Sequence, residues 1–96
     1  MTDTTSDDTP PDGWYPEARP DVVFRQVAGE WLLFDPDRQR IHSLNLSAAL
    51  IWIHCTGEDD VDAITEAVVA AFGTEEAGEH VSPTLERFRA EGLLAK

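Results

Sequence analysis

The sequence contains few of the groups that build disulfides, metal sites or nucleic-acid interfaces. Cys55 is the single cysteine in 96 residues, which excludes an internal disulfide framework and a zinc site built from thiolates. Seven lysines and arginines stand against nineteen acidic residues, and the basic residues form no run. A chain with a formal net charge of −12 repels phosphate backbones at long range. We therefore expect no nucleic acid among its partners.

Long apolar runs are also missing. The longest, residues 48–53, falls far short of the roughly 20 apolar residues that cross a bilayer. The first thirteen residues, MTDTTSDDTPPDG, lack both the basic and the apolar region of a signal peptide. The sequence thus predicts a cytoplasmic protein without a membrane partner.

The side chains that carry chemistry are scattered. His42, His54 and His80 are isolated, and no pair has ligand spacing on one helix. Ser43 and Ser47 lack the context of a catalytic serine. Cys55 ends an apolar helix and is interpreted as a small core residue rather than a reactive thiol. TEEAGEH, residues 74–80, is interpreted as a solvated loop. We expect no enzyme activity, no metal and no cofactor.

Composition divides the chain into a tail, residues 1–18, and one folded domain, residues 19–96. Residues 1–13 are Thr, Ser, Asp, Pro and Gly with nothing apolar after Met1, which predicts a disordered acidic tail. Trp14 and Tyr15 interrupt this polarity. They either pin the tail onto the domain, which is the favoured interpretation, or form a linear motif for a partner.

The first half of the domain has the pattern of three β-strands. VVFRQV (22–27) and EWLLFD (30–35) are rich in β-branched and aromatic residues, and Ala28-Gly29 between them predicts a tight turn. Asp35-Pro36 then favours a type I turn before a third strand, RIHSL (40–44). The three strands are predicted to form an antiparallel meander, although alternation does not determine which face is inward.

Asn45 predicts the cap of a first helix that runs from Leu46 to about Cys55. Its expected inner stripe consists of apolar residues at helical spacing, widened by Trp52: Leu46, Ala49, Leu50 and Ile53. Trp52 is predicted to be a core residue.

Two further helices follow. The second is capped by Asp59 or Asp60, has Val61, Ile64, Val68 and Ala71 or Phe72 on one face, and ends at Gly73. The third is predicted to start with Ser82 as cap and Pro83 at the first helical position. Its inner stripe is Val81, Leu85 and Phe88, and Gly92 closes it.

The predicted fold class is α+β: a small winged-helix-like domain in which a three-stranded antiparallel sheet precedes three helices. The second and third helices therefore have an alternative interpretation as a DNA-binding pair. The third helix would then present Thr84, Arg87 and Glu91 outward. Two arginines balanced by two glutamates on this helix make a poor surface for phosphate.

Residues 19–95 resemble the PqqD family, named for pyrroloquinoline-quinone biosynthesis. The resemblance rests on the order and spacing of several short elements: Leu44-Asn45 at the end of a strand, Ala48-Ala49, Ile51-Trp52, Gly57, the Val61…Ile64 helix, and Phe88 with Gly92-Leu93-Leu94. The connection DPDRQ is shorter than expected for pyrroloquinoline-quinone members. In this respect the sequence looks more like the generic or lasso-peptide-associated branch.

The resemblance implies a recognition element for ribosomally made, post-translationally modified peptides. Such a domain binds the leader segment of a precursor peptide as a strand added beside its third strand, in a groove walled by its third helix. It presents the peptide to a radical S-adenosylmethionine enzyme or to a leader protease or cyclase. The residues expected at this site are Arg38, Arg40, Ile41, His42, Ser43, Thr84, Arg87, Phe88 and Glu91. Arg38, Arg40 and His42 would attract acidic leader residues.

Two other functions stay open on the sequence alone. One is a winged-helix DNA-binding regulator. The other is an oligomerisation or adaptor module, in which the third strand pairs with itself in a homodimer or with an enzyme subunit. A simpler structural alternative is that RIHSL is an interior strand.

Overall fold

A computed structural model describes residues 13–96. Its sheet has three antiparallel strands in the order β1-β2-β3, namely β1 (Val23–Val27), β2 (Glu30–Asp35) and β3 (Arg40–Leu44). The helices follow as α1 (Leu46–Ile53), α2 (Val61–Phe72) and α3 (Val81–Ala90), with a 3₁₀ helix at Glu75–His80 directly before α3. The predicted α+β class and the order of its elements are confirmed.

Both strand connections adopt the turns that their residues favour. Ala28 and Gly29 have φ angles of 52° and 82°, the left-handed pair that a two-residue hairpin needs. At the second turn, one carboxylate oxygen of Asp35 accepts hydrogen bonds from the N–H groups of Asp37 and Arg38 (3.0 and 3.4 Å). These local interactions place the ends of β2 and β3 within a residue of the predicted bounds.

The register shows which face of the sheet is inward. Leu33, His42 and Leu44 are buried against the helices. Phe34 and Ile41, which are directly opposite each other, lie on the other face and are 39% and 67% exposed. The structure thus provides the orientation that the unbroken apolar run of β2 concealed.

Helix α1 begins as predicted but turns a different face to the core. Asn45 accepts a hydrogen bond from the Ala48 N–H at 2.8 Å, which confirms it as the cap. Leu46 and Ile53 were predicted to be inward and are 57% and 51% exposed, so that part of the stripe is wrong. The buried residues are Ala48, Ala49, Ile51 and Trp52. An eight-residue helix that is apolar on nearly every side has no contrast from which its inner face can be inferred.

The second helical segment contains one confirmed and one wrong prediction. Asp60 caps α2 by accepting from the Ala63 N–H at 2.8 Å, and Gly73 ends it with a φ of 73°. The expected solvated loop after it is instead the 3₁₀ helix, which buries Ala77. Glycine at position 78 allows the 3₁₀ helix to lie close to α2, because a Cβ at this position would be 2.9 Å from a methyl of Val69.

Helix α3 begins earlier than Ser82. The Val81 N–H donates to the carbonyl of Gly78, so the 3₁₀ helix already supplies partners for the start of α3. His80 occupies the cap position without a side-chain hydrogen bond, and the prediction of Ser82 as cap is therefore wrong. The inner stripe is confirmed: Val81, Leu85 and Phe88 are at most 1% exposed.

Pro16 to Ala18, which the sequence assigned to the tail, are hydrogen-bonded to the domain. The Ala18 N–H donates to the carbonyl of Cys55 at 2.9 Å, and the Gly57 N–H donates to that of Pro16 at 3.0 Å. Trp14 packs on the core beneath the guanidinium of Arg89. The packed structure therefore begins before residue 19. Most of the predicted tail, residues 1–12, lies outside the described residues.

No helix of residues 13–96 is long and apolar enough to cross a membrane.

Candidate functional site

The candidate site begins at the free edge of β3, which within residues 13–96 pairs with β2 alone. The two-residue turn makes Val27 and Glu30 the hydrogen-bonded closing pair of the first hairpin. Backbone groups along β2 alternate between its two neighbours, so the N–H and C=O of Leu33 point away from β1 and towards His42 of β3. The N–H and C=O groups of Ile41 and Ser43 consequently point to the free edge.

At the start of β3, three polar contacts on Glu91 connect the strand and its turn to the end of α3. The carboxylate of Glu91 lies 3.3 Å from Nδ1 of His42 and 3.6 Å from Nε of Arg87. The guanidinium of Arg38 donates to the backbone carbonyl of Glu91 at 2.6 Å. Together these contacts set the spacing between the strand edge and the helix at this end.

The other end of β3 leads to a cleft. Ser47, three residues after the strand, and His80, one turn before Thr84, both line it. The cleft has a volume of about 280 Å³ and is lined by Ser47, Phe72, Thr74, Glu76, Ala77 and His80. We call the surface between β3 and α3 the β3–α3 groove. Glu91 lies at one end of it, and the cleft is lined by residues just after β3 and just before α3.

The nine site residues predicted from the sequence occupy different positions relative to this groove. The exposed or half-buried ones are Arg38, Arg40, Ile41, Ser43, Thr84, Arg87 and Glu91. Among these, Ile41 and Ser43 direct their backbone groups to the free edge, while their side chains lie on the face of the sheet away from the helices. Phe88 is 1% exposed and packs edge-to-face on Trp52, with ring centroids 5.4 Å apart. It lies beneath the wall of the groove and supports it from the core, so its side chain does not line the surface.

His42 is also buried, at 8% exposure, with its ring turned towards the helices. Its Nδ1 faces Glu91, while its Nε2 is the buried side-chain nitrogen or oxygen without a hydrogen-bond partner among the described residues. The ring therefore braces the strand against α3 and does not project from the free edge. The sequence predicted a surface position that could attract acidic leader residues, and burial explains the difference.

A buried ion pair holds the turn that carries Arg38. The two terminal guanidinium nitrogens of Arg19, Nη1 and Nη2, each lie 3.2 Å from a carboxylate oxygen of Asp35, whose side chain is fully buried. Burial alone would raise the pKa of Asp35, but hydrogen bonds from Arg19 and the backbone of the turn outweigh it and lower the pKa. The carboxylate thus stays ionised and fixes the turn in place.

Cys55 is buried, as the sequence predicted, and its thiol donates to the carbonyl of Ile51 at 3.3 Å. Burial raises the pKa of this thiol to about 12. A thiol held protonated in this way is a core group and not a nucleophile. Among the described residues, no three His, Cys, Asp or Glu side chains cluster in a way that could hold a metal ion.

Sequence reasoning missed the cleft and its polar rim. Glu76 and His80 were assigned to a loop, and Ser47 was considered only as a possible nucleophile. The spacing of His80, Thr84, Arg87 and Glu91 at i, i+4, i+7 and i+11 is the signal that could have extended the helix wall backwards. It was hidden because Ser82 and Pro83 suggested a later helix start.

Comparison with known proteins gives one match. The family model described as coenzyme PQQ synthesis protein D (PqqD) matches residues 30–94, from the start of β2 past the end of α3. Both walls of the β3–α3 groove lie within the match. No curated protein and no solved structure matches the chain.

Proposed function

The chain belongs to the PqqD family, and we propose that it binds the leader segment of a ribosomally made precursor peptide without catalysing a reaction itself. The leader adds as a strand to the free edge of β3. The domain then presents the precursor to a modifying enzyme, either a radical S-adenosylmethionine enzyme or a leader protease or cyclase. Members of this family are peptide-binding partners in pyrroloquinoline-quinone biosynthesis, which supports a peptide as the ligand.

The free edge of β3 is the observation that carries this proposal. Its outward N–H and C=O groups, on Ile41 and Ser43, are available to a peptide whatever the sequence of that peptide. An unpaired edge beside a 67% exposed isoleucine is an aggregation risk unless a partner covers it. The edge is also rigid, because the Asn45 cap joins it directly to α1. A rigid edge loses little conformational entropy on binding.

The dimensions of the two walls suit a short strand. β3 has five residues and extends for roughly 17 Å at about 3.4 Å per residue. The wall from His80 to Glu91 covers eleven helical steps, roughly 16 Å at 1.5 Å per residue. A leader segment of about five residues would contact both walls along its length.

Charge gives the groove a direction. Arg38 and Arg40, which have no carboxylate within 4.0 Å in the described part of the chain, lie at the end near Glu91, whereas Glu76 lies at the cleft. Acidic leader residues are therefore expected near the arginines and basic ones near the cleft. The chain's net charge of −12 favours a modifying enzyme with a basic docking surface.

Two ion pairs weaken the alternative of a DNA-binding regulator. Arg87 lies 3.6 Å from Glu91, and Arg89 lies 3.7 Å from Glu86. The arginines of α3 thus already have carboxylates beside them, which leaves little positive charge for phosphate.

A pair of proline variants tests the strand addition. Proline at Ser43 removes an N–H that points to the free edge, whereas proline at His42 removes one that bonds to β2. Ser43→Pro should therefore weaken leader binding and keep the fold, while His42→Pro should destabilise the fold. Titration calorimetry with a candidate leader peptide, together with thermal melts, measures both effects.

The helix wall has its own test. Arg87→Ala should weaken binding by about 1–2 kcal/mol if Arg87 meets a leader carboxylate, with stability changed by no more than roughly 0.5 kcal/mol. Arg25→Ala is the matched control, since Arg25 is an exposed arginine on β1 at the opposite edge of the sheet. If Ser43→Pro and Arg87→Ala both fold and both bind the leader with the affinity of the parent protein, leader binding in the β3–α3 groove is refuted. Self-association in light scattering that Ser43→Pro abolishes would support the adaptor alternative.

A further inference from the structure

We propose that the cleft at the end of the β3–α3 groove binds an arginine side chain of the docked peptide. This inference rests on the proposed strand addition and names a residue type that the leader must carry. The cleft is defined by the six residues given above, from Ser47 to His80.

Position is the first argument. Ser47 follows the last residue of β3 by three positions, and His80 precedes Thr84 by one helical turn. The cleft is therefore lined by chain segments that directly follow β3 and directly precede α3. In the proposed complex, the end of the added strand that lies beside Leu44 is therefore near the cleft.

The lining suits a side chain with a long apolar stem and a polar tip. The Phe72 ring is 37% exposed, and Ala77 lies on the same cleft. Glu76 and Ser47 are the lining residues whose side chains carry oxygen acceptors for a cation. Arginine matches this combination, because its methylene stem packs on apolar surface while its planar guanidinium stacks on a ring and pairs with a carboxylate.

Charge separates arginine from a neutral aromatic or aliphatic occupant. Glu75, Glu76 and Glu79 of the 3₁₀ helix are exposed, and none has a cationic partner within 4.0 Å in the described part of the chain. The end of α2 adds to this field, because its last turn, which includes Phe72, has no basic residue to offset its carbonyl groups. A cation entering the cleft is attracted by both features.

The first arm of the test uses small probes and the full chain. Amide shifts are followed by NMR while N-acetyl-L-argininamide, N-acetyl-L-tyrosinamide or N-acetyl-L-leucinamide is added. We expect argininamide to bind most tightly and to shift the amides of Ser47, Phe72 and His80. Glu76→Gln should weaken it about threefold to fivefold, the range of a surface ion pair.

The matched control is Glu79→Gln, which removes the same charge from the same helix but not from the lining of the cleft. This variant should keep most of the affinity for argininamide. Preferential binding of tyrosinamide or leucinamide, or equal losses in the two variants, would overturn the assignment of arginine.

The second arm selects binders from a displayed library of random peptides. Arginine should be enriched at one position among peptides whose binding is lost in Ser43→Pro, and that enrichment should disappear with Glu76→Gln. Binders that need Ser43 but show no arginine preference would overturn the cleft and leave strand addition standing. Alternatively, argininamide binds at the cleft but no selected peptide loses binding in Ser43→Pro. That result would refute strand addition and still support the preference of the cleft for arginine.

Discussion

Replacing Trp52 with alanine tests how α1 is seated. Trp52 is 6% exposed and packs edge-to-face on Phe88 with an interplanar angle of 87°. Truncation of a buried Trp costs about 3–5 kcal/mol, because apolar area is lost and a cavity remains. A domain with about 0.05–0.15 kcal/mol of stability per residue has roughly 5–14 kcal/mol at this length. Trp52→Ala should therefore remove a large fraction of the stability.

Urea unfolding followed by far-UV circular dichroism measures this loss. Trp52→Phe provides a folded variant if the alanine variant does not fold, with an expected cost of about 1–2 kcal/mol. The matched control is Ile53→Ala, the neighbouring residue, which is 51% exposed and should change stability by about 0.5 kcal/mol. Equal costs at the two positions, or a Trp52→Ala variant as stable as the parent, would show that α1 is seated differently.

Three further predictions concern other parts of the chain. Because the pKa of Asp35 is lowered in the folded state, its stabilising effect is present above the unfolded value near 4 and lost as pH falls through the folded value. The melting temperature of the parent should thus fall more steeply below about pH 4 than that of Asp35→Asn, and parallel curves would contradict the pair with Arg19. Cys55 should react very slowly with a disulfide reagent at pH 8 and rapidly in urea, since its pKa is about 12; rapid labelling of the native protein would show an accessible thiolate. Deletion of residues 1–13 should leave the melting temperature nearly unchanged, whereas deletion through Tyr15 should lower it because Trp14 packs on the core; a large drop on the first deletion would show that the tail packs.

The sequence predicted the features that depend on neighbouring residues. The tight turn at Ala28-Gly29, the Asn45 and Asp60 caps and the Gly73 stop each depend on groups within three or four residues, and each is present in the structure. Periodicity also identified the inner stripe of α3, because its polar residues contrast with Val81, Leu85 and Phe88.

The tertiary structure decided what depends on distant partners. The inner face of α1 is set by what it packs against, since Leu46 and Ile53 are as apolar as the residues that are buried. The 3₁₀ helix packs closely on α2 at Gly78, where a Cβ would lie 2.9 Å from Val69, a contact that its glutamate-rich sequence does not indicate. The site follows the same division. The bounds of β3 were predicted from local sequence, whereas its inward face was not, and the contact between His42 and Glu91 brings together residues 49 positions apart. Turns and caps are determined by short-range hydrogen bonds, but the walls of a groove form only when separate elements pack together.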